Sequence, residues 1–231
     1  MLVRELFPCP RFEGTKDEVC DFLINWQNLT VLAECKASLL TAKIKYSSDS
    51  GLLFKGIDDQ LVGQNSSGKR KGVSQLAHSI NRLIGGERAI LAGNNVTPDA
   101  AQPIIPLLII YEPTMGYHSV RNRLQRKFDA LLTPEAIQSG RILPVVILTI
   151  DELERLQALS NAAPARDILH EYAKHLQLEK SCLLGSFSTY LWERFPDARV
   201  ANDSSVRVGF HAFMKQVESS FRANAENEEF S

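Results

Sequence analysis

Three residues in the stretch CDFLINWQNLTVLAECK, residues 20–36, have types and spacing suited to joint chemistry: Asp21, Glu34 and Lys36. Two runs of strand-forming residues, DFLI and VLAECK, flank the turn-like NWQNLT. Each run carries a carboxylate where a buried strand favours an apolar side chain. Side chains alternate faces along a strand, so Glu34 and Lys36 project from one side and Cys35 from the other. If the runs pair as a hairpin looping from Trp26 to Leu29, Asn25 faces Thr30, and counting outward sets Asp21 opposite Glu34. Opposed residues hold their Cβ atoms about 4.5–5.5 Å apart, and like charges there repel. Such a pair needs a cation, or one member must take up a proton.

Two carboxylates beside an amine suit a hard oxygen-seeking cation, Mg²⁺ or Mn²⁺, which leaves positions for phosphate and water. The metal neutralises charge on a scissile phosphate while Lys36 orients the attacking water. That is a phosphodiester hydrolysis site in outline. It depends on register, because a one-residue slip sends Asp21 to the other face. The alternative is a wet sheet face, with Asp21 at the solvent end of its strand and Glu34 and Lys36 lining open surface.

The arrangement resembles the PD-(D/E)xK signature of restriction-endonuclease-like nucleases: an aspartate, about a dozen residues, then Glu-x-Lys on the next strand. CDFLI stands where the family has PDFLI, and ECK stands for ExK. The resemblance implies that Asp21, Glu34 and the backbone carbonyl of Cys35 hold the metal and that Lys36 positions the water. It also implies an assisting role for Gln75, in the helical stretch VSQLAHSINRL. It covers about residues 15–90 and implies a nuclease acting on DNA, with a restriction-endonuclease-like core. The same fold without the chemistry would be a nucleic-acid-binding or assembly domain. Three departures stand out: Cys20 replaces the proline, the stretch from Lys36 to Gln75 is long, and few residues precede Asp21. The family's N-terminal helix is therefore expected to be missing, as in a fragment or shortened product, or remodelled, and a homodimer or a partner subunit is the expected assembly.

Along the Gln75 helix, Lys71, Gln75, Ser79 and Arg82 fall on one polar stripe opposite Leu76, Ile80 and Leu83. Lys69, Arg70 and Lys71 form a basic cluster just before it. Lys69, Arg70, Lys71 and Arg82 are thus the expected phosphate-backbone contacts. Near-matches elsewhere fail on chemistry. GQNSSGKR lacks the hydroxyl that a phosphate-binding loop places after its lysine, and the histidines of HEYAKH are too far apart for a zinc-protease motif. The aromatic residues of SFSTYLWERF, and the polar cations Arg121, Arg123, Arg126 and Lys127, read as core contacts and solvated charge respectively.

The 231 residues are 44% hydrophobic and 23% charged, with a formal net charge of -1, so no global basic field advertises a nucleic-acid partner. Four scattered cysteines without C-x-x-C spacing, and no apolar run of membrane-spanning length, point to a soluble, cytoplasmic protein. A strand pair followed by alternating helices and strands predicts an α/β fold with a mixed central sheet flanked by helices. Helices are expected at GVSQLAHSINRLIGG, SVRNRLQRKFDALL, DELERLQALS (with Thr149 and Glu152 as a capping box), ARDILHEYAKHLQL and SFSTYLWERF. RAILAGN, PLLIIYE and RILPVVILTI read as strands, and residues 37–71 as mostly loop. The domain is expected over residues 1–196. Residues 197–231 form an extension, partly helical with a frayed acidic tail.

Overall fold

The computed structural model describes residues 6–26, 28–37, 40–64, 68–112, 117–159, 163–178 and 187–195. The expected C-terminal extension and Cys182 lie outside them. The chain opens with β1 (Leu6–Pro8) and β2 (Arg11–Phe12), then forms the hairpin β3 (Phe22–Trp26) and β4 (Leu29–Lys36). Next come α1 (Ala42–Lys45), α2 (Ser50–Leu61), α3 (Gly72–Ile84), β5 (Ala89–Leu91), β6 (Asn94–Asn95) and β7 (Ile104–Ile110). The remainder is α4 (His118–Asp129), α5 (Pro134–Gln138), β8 (Val146–Thr149), α6 (Ile150–Ala158), α7 (Ala165–Leu178) and α8 (Phe187–Arg194).

Five strands form a mixed sheet in the order β1-β3-β4-β7-β8, and β2, β5 and β6 form a small second sheet. Only β3 runs against its neighbours: β1–β3 and β3–β4 are antiparallel, β4–β7 and β7–β8 parallel. Both faces are covered, as an apolar parallel run such as IIPLLII requires. On one face Leu23, Leu32, Leu108 and Ile110 pack with Leu61, Leu76, Ile80 and Leu124 of α2, α3 and α4. On the other, Phe22, Val31, Ile105 and Leu148 pack with Leu156, Leu169, Tyr172 and Phe187 of α6, α7 and α8. The result is a mixed α/β fold with helices on both sides of the sheet. No helix among the described residues is long and apolar enough to cross a membrane.

Several sequence expectations need correction. Residues 37–71, expected to be mostly loop, contain the helices α1 and α2. Ile57 and Leu61, with Leu53 and Phe54 beside them, give α2 its core face, and the Asp49 side chain caps it by accepting from the Gly51 N–H. The abundance of glycine and serine there concealed that spacing. RILPVVILTI is a strand only from Val146. Ile104 pairs with Ile142, but Leu107 pairs with Val146, so three steps on β7 match four before β8. Pro144 lies in that bulge, and the displaced Val145 N–H donates to Gln125 Oε1 at 2.8 Å. Trp192 is 53% exposed rather than a core contact, whereas Phe187 is fully buried.

Gly72 fixes how closely α2 and α3 approach. Its φ is +50°, and a Cβ there would lie 2.5 Å from the Leu61 carbonyl oxygen. Backbone offers no rotamer with which to retreat. Gly72→Ala should therefore cost about 2–4 kcal/mol from strained φ and displaced packing, read as a lowered midpoint in urea unfolding.

Candidate functional site

The hairpin forms in the register expected from the sequence, Asn25 opposite Thr30 and Phe22 opposite Ala33, and closes one pair further, at Trp26 and Leu29. One more step places Asp21 across from Glu34. Leu32 faces the α3 side of the sheet, so by alternation Glu34 and Lys36 share that face, and Asp21, one residue before β3, lies within electrostatic range of both. Asp21 Oδ2 accepts the Cys35 N–H at 2.7 Å, which ties the aspartate to the Glu-x-Lys backbone.

Glu34 sits in the middle of the sheet with Leu108 in register beside it, and it is 1% exposed. The Lys36 ammonium donates to its Oε1. Its Oε2 is buried and has no hydrogen-bond partner. A buried carboxylate oxygen left in this state is destabilising, and native folds retain few. Burial first, and the nearby Asp21 charge second, push the Glu34 carboxyl up to about 7, against the opposing pull of Lys36 and, more weakly, of the Asp21 backbone N–H. Burial also raises Asp21, offset by the Cys35 N–H and then by Lys36. Both acids are therefore held above the ordinary carboxylate range, Glu34 chiefly by burial and by the Asp21 charge and Asp21 chiefly by burial.

The donor set suits a small hard cation. Mg²⁺ binds through one or two carboxylates and keeps several waters, and Asp21 and Glu34 supply two carboxylates with one oxygen unsatisfied. A strand residue directs its N–H and C=O to the same edge. The Cys35 carbonyl therefore lies on the side where its N–H meets Asp21, as the expected third ligand requires. Among the described residues no cluster of three or more His, Cys, Asp or Glu side chains gathers as a ligand set. The pair and one carbonyl are thus the donors on offer.

The other expected site residues are placed less uniformly. Gln75 is half-buried on α3, the helix that covers β4. Lys69 pairs with Glu18 at 3.0 Å and lies within electrostatic range of Glu34 and Asp21, so the basic cluster does approach the acids. Lys71 donates to the Asp59 carbonyl, and Arg70 joins a backbone bridge with Gln64. Arg82 is engaged within the protein: it pairs with Asp17 and Glu87 and lies 3.7 Å from the centre of the Phe12 ring. Ser79 is not on a polar stripe; it is fully buried and its hydroxyl donates to the Val19 carbonyl. Cys20 packs in the core on the α3 side and Cys35 against the opposite core.

Sequence reasoning missed Glu112 and the burial of Glu152, both just past the C-terminal ends of the parallel strands. Glu112, just past β7, is 1% exposed and pairs with Lys45 at 2.8 Å. Glu152 accepts from Arg121, which also donates to the Tyr172 hydroxyl, so Arg121 is not simply solvated. The available signal for Glu112 was its position directly after an apolar strand, where α/β sheets place polar function.

No family model, curated protein or solved structure matches this chain, so the site is judged on its own chemistry. Glu34 binds its proton more tightly folded than unfolded. Its contribution therefore lowers stability as pH rises from about 4.5 to about 7, and the loss is complete above that. Metal-free Glu34→Gln should be more stable than wild type at pH 8, by on the order of 3 kcal/mol, with the gain vanishing near pH 4. Urea midpoints across that range check it.

Proposed function

We propose that the chain is a Mg²⁺-dependent nuclease hydrolysing DNA phosphodiester bonds on a restriction-endonuclease-like core. The observation that carries this reading is the orphaned Oε2 of Glu34, buried beside Asp21 and flanked by Lys36. A stable fold without function has little reason to keep an unsatisfied carboxylate in its central strand. Asp21, Glu34 and the Cys35 carbonyl would hold the ion, which, when bound, offsets charge on the phosphate. Lys36, at 21% side-chain exposure, can reach solvent from the same face and hold the attacking water. Lys69 and Arg70 would supply phosphate contacts, and Gln75 would assist from α3. Water adds across a P–O bond: its oxygen bonds to phosphorus, and the bridging oxygen departs with a proton.

A second reading has one observation in its favour. The Lys36 ammonium already sits on Glu34, so the acid pair is partly neutralised without metal. A nuclease-fold domain serving only in nucleic-acid binding or assembly would need no more than this. The two readings diverge in metal affinity and in cutting.

With Mg²⁺ or Mn²⁺ present, plasmid and linear DNA should be cleaved by wild type, with Lys36→Ala slower by about 10²–10⁴-fold. Equal cutting by both proteins removes Lys36 from the chemistry. Calorimetric titration with Mn²⁺ should show affinity rising with pH up to about 7 and levelling above it, because the proton on Glu34 competes with the ion. Asp21→Asn and Glu34→Gln should each weaken binding by at least about tenfold. Unaltered Mn²⁺ affinity in both variants leaves the assembly-domain reading.

A further inference from the structure

Three tyrosines of the described residues are strongly exposed: Tyr46 at 80%, Tyr117 at 65% and Tyr111 at 57%. The other tyrosines of the described residues behave differently, Tyr172 being fully buried and Tyr190 half-buried. Scattered exposed apolar residues are ordinary, but large aromatic rings concentrated at one place on the surface are informative. The Tyr111 N–H donates to the Lys36 carbonyl at 3.1 Å, a backbone contact that ties the end of β7 to the Glu-x-Lys strand. Glu112, the next residue, pairs with Lys45 of α1. Tyr46 follows Lys45 as the C-terminal cap of α1, and Tyr117 caps the N-terminus of α4. The Lys45 ammonium is within electrostatic range of both phenols, and exposed Lys43 lies on the same short helix.

Aromatic rings interleaved with lysines beside a phosphodiester site suit one ligand chemistry: a nucleic-acid strand whose bases are unpaired. Every base has a face that stacks on a phenol ring, while the phosphates between bases meet the ammonium groups. A duplex keeps its base faces inside the stack and cannot use such rings without opening. We propose that Tyr46 and Tyr117, with Lys45 between them, form a stacking platform for unpaired nucleobases, so that single-stranded nucleic acid is the substrate class of the neighbouring acid pair. The substrate assignment rests on the nuclease reading above; the binding itself does not.

The test uses the intact chain in chelator, so that binding is measured without cleavage. A fluorescent oligonucleotide of about 15 nucleotides, single-stranded or annealed to its complement, is titrated and followed by anisotropy. Wild type should bind the single strand at least about tenfold more tightly than the duplex. Tyr46→Leu and Tyr117→Leu should each weaken single-strand binding by about tenfold, and the Phe variants should retain it. Duplex binding should be unchanged in all four. Both rings are exposed, so thermal melting should confirm intact folding. Equal affinity for the two forms, or Leu variants binding like wild type, overturns the platform. No oligonucleotide binding at all does the same and leaves the tyrosines to a protein partner. Lys36-dependent cutting of duplex that ignores the tyrosines defeats the platform alone. Tyrosine-dependent binding without any cutting defeats only the hydrolytic role.

Discussion

A carboxylate buried in the central strand of a sheet is the constraint around which this molecule is arranged. Glu34 lies between β3 and β7 with its side chain toward the α3 layer, where water cannot solvate it. Removing a charge from water is costly unless it is paired, hydrogen-bonded or protonated. Only part of that compensation is present, since Lys36 serves one oxygen and nothing among the described residues serves the other. Proton retention near neutrality follows directly from burial and from Asp21 across the hairpin.

The sheet topology turns this local tension into a site. β4, β7 and β8 run parallel, so their C-terminal ends lie together, and each end carries a buried acid: Glu34, Glu112 and Glu152. The last two are satisfied, by Lys45 and by Arg121. The Arg121 contact has a structural consequence. It starts on α4, on one side of the sheet, and reaches Glu152 of α6 and Tyr172 of α7 on the other, joining the two helical layers beyond the strand ends. Glu152 in turn accepts from Thr149 and from Ser188 of α8, so one carboxylate organises three helices. Glu34 is the exception in this set, because one of its oxygens has no hydrogen-bond partner.

The hairpin was legible because its information is local. Strand periodicity and a short turn fix the pairing, and the pairing fixes which side chains meet. Thr149 and Glu152 form the capping box expected of them for the same reason. The failures have a different origin. Helix α2 escaped notice because its core face lies within a stretch rich in serine, glycine and aspartate, and tertiary burial overrode the weak local preference. Arg82 and Arg121 read as free cations on helix faces, yet their partners, Asp17, Glu152 and Tyr172, lie on elements that no helical spacing connects to them.

By itself the sequence determined the two acids and the lysine on one face, the mixed α/β class and the helix-strand alternation that follows. These depend on periods of two and 3.6 residues, which the order of residue types carries directly. Tertiary structure alone decided that Glu34 is sealed from water, that its second oxygen has no partner, and that Lys45 pairs with Glu112. Burial and long-range proximity depend on how layers close over one another. A linear pattern specifies which face a side chain occupies, but what covers that face is settled only when distant segments pack.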